Sequence, residues 1–161
     1  MVEQVIPDAW KPVKLAERCE AASGPDRELE VAIEWAVGDV PADAFNVEIV
    51  PGRMTIATGA YSYHHVPAYT ASLDAAIALV PEGMTWDVDE GPSHWILIGK
   101  QKPAGRAQVS RIGDYINSVT GELAEVSEHG FAATPALALC AAALRARAQA
   151  SSDTAKSEGE V

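Results

Sequence analysis

Basic residues are scarce in this chain: 12 Lys and Arg stand against 23 Asp and Glu, a formal net charge of −11. A surface that follows duplex or single-stranded nucleic acid needs the opposite balance, so no nucleic-acid polymer is expected as a partner. Cysteine is scarcer still. Cys19 and Cys140 are the only two and have no close spacing, which argues against disulfide-dense secreted scaffolds and zinc knuckles. Long apolar runs are missing too, since the richest, AATPALALCAAAL, falls short of the ~20 residues that a membrane-spanning helix needs. The opening MVEQVIPDAW has neither the basic start nor the apolar stretch of a secretory leader, so a cytoplasmic protein with no membrane partner is expected. Catalytic signatures are equally absent: there is no G-x-S-x-G elbow, no Walker loop and no dinucleotide fingerprint.

What is present suffices for a core. With 161 residues, 48% of them apolar and 22% charged, the chain has the length and composition of one globular domain. That domain is expected over residues 1–150, with a disordered acidic tail at 151–161. Residues 13–22 read as a first helix. A second runs from Pro25 to a stop at Gly38, with Leu29, Ala32, Ile33, Ala36 and Val37 as its buried stripe and Arg27, Glu30 and Glu34 on the opposite side. NVEIV, RMTIAT and YSYHHV read as a strand and a hairpin.

YTASLDAAIALV reads as a short helix whose core side is Leu73, Ile77 and Val80. MTWDVD, HWILIGK and RAQVSRI then suggest an antiparallel meander, with the nearly all-apolar HWILIG in mid-sheet under helices. DYINSVTGELAEVSEHG fits a further hairpin or an irregular loop. A last helix from Thr134 to Ala150 has its stripe at Leu137, Ala141, Leu144 and Ala148, with Thr134 as cap and Pro135 at its first position. The fold class is therefore α+β: a mainly antiparallel sheet covered by helices in a three-layer α-β-α sandwich.

Candidate chemistry is sparse. His64 and His65 are adjacent, and in an extended segment their side chains point to opposite faces, so one ion cannot readily take both. WDVDEGPSH groups Asp87, Asp89, Glu90 and His94, but its glycine is misplaced for a calcium loop and it reads as a solvated hairpin turn. No metal site and no cofactor are expected. Cys140 sits among Leu139 and Ala141, the setting of an inert buried thiol. Lys100, Lys102, Arg106 and Arg111, a third of all the basic residues, form a local positive feature that either attracts phosphate or guards a strand edge. Thr70, Ser72 and Thr134 lead helix starts, where hydroxyls usually cap the free N–H groups that could otherwise hold an anion. Tyr69 precedes one such start, where an aromatic ring could stack a base.

Three pieces in order, GPDRELE (24–30), YTASLDAA (69–76) and AATPALALCAAALRAR (132–147), with HWILIGK between the last two, resemble the phage ABA sandwich domain family. The resemblance covers about residues 15–150 and implies an α-β-α domain from a phage gene expressed in the cytoplasm of an infected bacterium. The family is largely one of unknown function, so it assigns no catalytic residue.

The general character of a small, acidic, motif-poor phage protein suggests a counter-defence sponge that binds a nucleotide immune signal without chemistry. A pocket at a subunit interface of a homo-oligomer would hold phosphates with cations and helix-end amides and stack a base on an aromatic. The candidate ligand residues are Tyr69, Thr70, Ser72, Trp95, Lys100, Arg106 and Thr134. Two other classes stand beside it: an enzyme cleaving such a nucleotide with His64, His65 or His94, and an acidic protein that blocks a host factor.

Overall fold

The computed structural model describes residues 7–37, 46–50, 53–57, 63–89, 105–116 and 123–158. After a 3-10 turn at Asp8–Trp10, helices α1 (Pro12–Ala21) and α2 (Arg27–Val37) lead to strands β1 (Asn46–Val50), β2 (Arg53–Ala57) and β3 (Tyr63–His65). Helix α3 (Leu73–Ile77), strands β4 (Thr85–Asp89), β5 (Gly105–Ile116) and β6 (Leu123–Ala132), and helix α4 (Pro135–Glu158) complete the order. The class is α+β, as the sequence implies. Among the described residues two antiparallel three-stranded sheets form, β1-β2-β3 and β4-β5-β6.

Helix α2 starts at Arg27, two residues later than its proline suggests. Asp26 is the cap: its Oδ1 accepts the Leu29 N–H at 3.0 Å, leaving Pro25 outside the helix. Leu29, Ala32 and Ile33 are buried as the periodicity requires, but so are Glu30 and Glu34, which the same periodicity assigns to solvent. Their partners explain the difference. Arg27 pairs with Glu30 Oε2, the Thr70 N–H and hydroxyl donate to Glu30 Oε1 at 3.0 and 2.6 Å, and the Tyr69 hydroxyl donates to Glu34 Oε2 at 2.5 Å. A buried carboxylate is tolerable when its lone pairs are filled in this way.

Helix α3 has only five residues, and the core beneath it is built from Ala76 and Leu79, while Leu73, Ile77 and Val80 pack at its margin. It ends at a turn in which Met84 N–H donates to the Pro81 carbonyl and Gly83 has φ of 79°, a conformation that favours glycine.

The meander differs from the expected one in its neighbours. Strand β5 pairs with β4 on one side (Trp86↔Val109, Val88↔Ala107) and with β6 on the other (Ala107↔Gly130, Val109↔Glu128), so RAQVSRI and MTWDVD are direct neighbours. The placement of HWILIGK itself is outside the described residues. The ambiguous segment after β5 is a hairpin, which extends β5 to Ile116 and starts β6 at Leu123.

Helix α4 is the centre of the fold. Residues Ala136 to Leu144 are buried on every side rather than along one stripe, because β5 and β6 press on one flank and α1 and α3 on others. Two glycines allow the approach. A Cβ on Gly130 would lie 2.1 Å from the Ala138 carbonyl oxygen, and one on Gly105 would lie 2.6 Å from Pro135 N. The helix also runs eight residues beyond Ala150, into the expected tail. No glycine or proline interrupts that stretch, and the Ser151, Ser152 and Thr154 hydroxyls donate to carbonyls four residues back. No described helix is long and apolar enough to cross a membrane.

Candidate functional site

The sheet β4-β5-β6 has two unlike faces. Residues paired directly across antiparallel strands share a face, and alternate residues along a strand change face. Gly105, Ala107 and Val109, with Gly130 and Ala132, are buried against α4. The other face carries three cross-strand rows: Asp89–Arg106–Phe131, Asp87–Gln108–His129 and Thr85–Ser110–Ser127. This polar face is half-buried on β5 and β6 and exposed at its β4 margin.

Arg106 is the cation of that face. Its Nη1 lies 3.6 Å from Asp89 Oδ2, with 33% of the arginine side chain and 48% of the aspartate exposed. An exposed pair at that separation is weak, so the guanidinium can exchange Asp89 for a stronger anion at small cost. Opposite it stands Phe131, whose ring is stacked with His129 at a centroid separation of 6.5 Å and an interplanar angle of 19°. The His129 Nδ1 is buried and has no hydrogen-bond partner.

The outer edge of β6 is closed by an ion pair. Arg145 donates from Nη1 and Nη2 to Glu20 Oε1 and Oε2, each at 2.7 Å, and from Nη1 to the His129 carbonyl, also at 2.7 Å, while Glu20 Oε1 accepts the Phe131 N–H at 3.2 Å. The two side chains occupy backbone groups that a further strand would use. Burial works against the charged form of Glu20, but hydrogen bonds from Arg145 and Phe131 outweigh it and hold the carboxyl below its ordinary value.

The sequence candidates divide accordingly. Tyr69 and Thr70, 6% and 1% exposed, point into the core and are committed to Glu34 and Glu30; the stacking and anion-holding roles expected of them are corrected to structural ones. Burial and the neighbouring Glu34 carboxylate both raise the Tyr69 hydroxyl's pKa. Ser72 caps α3, accepting the Ala75 N–H at 3.4 Å. Thr134 does the same for α4, accepting the Leu137 N–H at 3.3 Å, and its backbone abuts Gly105, the residue before Arg106. Trp95 and Lys100 lie outside the described residues, as do Glu90, His94 and Lys102.

The basic cluster is not one patch. Arg106 and Arg111 are five residues apart on β5, about 17 Å along an extended strand and on opposite faces. Arg111 instead pairs with Asp153 of α4 at 3.1 Å. Asp87 and Asp89 lie on a strand rather than in a turn. His65 is exposed at the end of β3.

Gln108, His129 and Phe131 were not legible as site residues. The only signal was the alternation in RAQVS and SEHGF, which sets polar or aromatic side chains at every second position. Compared with known proteins, the chain matches no family model, no curated protein and no solved structure.

Proposed function

We propose that this chain is a phage-encoded counter-defence protein that binds and holds a small nucleotide immune signal without chemical change. The observation that carries the reading is the Arg106–Phe131 row. A guanidinium and an aromatic ring sit directly opposite each other across β5 and β6, with Cβ atoms about 5 Å apart. A phosphate takes the guanidinium in a forked, charge-assisted contact, and a base takes the ring. The pairing sought in Tyr69 is thus supplied by Phe131. The start of α4 at Thr134 abuts Gly105 at the same end of β5, and a second copy of the chain completes the enclosure.

Native mass spectrometry of the protein incubated with cyclic dinucleotides and cyclic ADP-ribose isomers tests this. The expected spectrum shows a ligand-bearing oligomer, and heat release returns the ligand intact. Arg106→Glu, checked for fold by circular dichroism, weakens retention at least tenfold. A panel in which nothing is retained overturns the reading, and recovery of a cleaved product replaces it with the enzyme.

The blocking of a host factor has its own observation. Trp86, 42% exposed on β4, is an apolar anchor on a chain whose formal net charge is −11. A partner held there washes off as salt rises.

A further inference from the structure

The cation that would hold a phosphate does not stand alone. Arg106 is registered against Asp89 of β4, and Asp89 Oδ2 lies 3.6 Å from its Nη1. Residues directly opposite on paired strands keep their Cβ atoms about 5 Å apart, and an aspartate side chain is too short to carry its charge far from that position. A phosphate that takes the guanidinium can displace the carboxylate from contact. The negative charge nevertheless stays in the row.

The charge balance of the row follows from this. Arg106 and Asp89 cancel, and the chain around them has a formal net charge of −11. The first negative charge of a phosphate is compensated by charge-assisted hydrogen bonds from the guanidinium. A second charge on the same phosphate gains little, because Asp89 repels it about as strongly as Arg106 attracts it. One unit charge about 5 Å away in water changes binding about fourfold. With 33% of the arginine and 48% of the aspartate side chain exposed, solvent keeps the effect at that scale.

We infer that Asp89 sets the charge of the phosphate that Arg106 accepts, favouring the single charge of a phosphodiester over the two charges of a terminal phosphate. This selection rests on the nucleotide-binding reading and names the ligand class within it. A ring-closed nucleotide, whose phosphates are all diesters, is preferred to an opened one that ends in a monoester.

Magnetic resonance titration of the full chain, read at the Arg106 guanidinium, separates the two. The probes are adenosine 3′,5′-cyclic monophosphate and adenosine 5′-monophosphate, which share a base and carry one phosphate each. At about pH 8 the monoester, with a second pKa near 6, holds almost two charges. Wild type is expected to favour the cyclic probe by about twofold or more, and added salt to narrow that preference. Asp89→Asn is expected to strengthen the monoester at least threefold more than the cyclic probe. Asp87→Asn, the same charge change on the same face two residues along β4, is expected to keep the wild-type order. Both substitutions replace exposed carboxylates, and Arg106→Gln loses both probes. A wild type that takes the monoester as tightly, a preference that salt leaves unchanged, or equal shifts in Asp89→Asn and Asp87→Asn overturns the selection by Asp89 and leaves nucleotide binding standing. An Arg106 signal that neither probe moves in the millimolar range overturns both.

Discussion

Tyr69 shows how one hydroxyl can decide whether a residue is a platform or a strut. Its ring lies against the helical core, and its O–H fills a lone pair of Glu34, a carboxylate that α2 carries into the interior. Tyr69→Phe removes the donor and keeps the ring, so it leaves a buried acceptor short of one bond. The expected loss is about 1–3 kcal/mol in urea denaturation, with nucleotide retention unchanged. The pH dependence has a defined sign. A raised pKa in the folded state contributes stability below the unfolded value near 10 and loses it as pH climbs above that, so the wild type weakens on the alkaline side and Tyr69→Phe flattens that limb. None of this was legible in α2, because a glutamate bound for the core and one bound for water look alike in a helical pattern. What distinguishes Glu30 and Glu34 is Thr70 and Tyr69, 40 and 35 residues away.

At the scale of elements, the sequence was most informative where local chemistry decides the outcome. Thr134 and Ser72 act as caps, and β1, β2 and β3 fall on NVEIV, RMTIA and YHH. It was least informative where contact with another element decides. Helix α4 reads as one-sided, yet it is enclosed, and its alanines suit that enclosure because small side chains let a strand come close. Gly130 marks the closest approach. Gly130→Ala places a methyl group against the backbone of α4 at Ala138 and Ala142, so helix and strand must part, at an expected cost of about 1–3 kcal/mol. Gly24→Ala, where an added methyl meets nothing within 4 Å, serves as the control in the same thermal melts. The candidate site shares this limit. Arg106 was legible as a cation in an acidic chain, but its neighbours Phe131 and His129 became visible only through the register of β6, in a segment whose composition fits a loop as well as a strand.

For the molecule as a whole, the Glu20–Arg145 pair joins the first helix, the last helix and the edge of the sheet. Because Glu20 is held below its ordinary pKa of 4.5, it contributes stability above that value, and the contribution drains away as pH falls through the lower, folded one. Unfolding in urea from pH 7 to pH 3 is therefore expected to show a steeper acid loss in wild type than in Glu20→Gln. At neutral pH the variant is expected to be weaker by about 1–2 kcal/mol, the difference between charge-assisted and neutral hydrogen bonds. Equal acid limbs would mean that the pair is decorative.

The two cysteines lie on the helices that this pair ties together, one on α1 and one on α4, and both are buried free thiols. The Cys140 thiol donates to the Tyr69 carbonyl at 3.2 Å, and the neighbouring Cys19 thiol and burial hold it well above its ordinary pKa, so neither access nor ionisation favours alkylation of the native state. The rate at which a small alkylating reagent labels this chain therefore meters how often α1 and α4 come apart. The protein carries its own gauge of core opening, one that needs no introduced dye and that any ligand seated on the distant sheet face must slow if it steadies the fold.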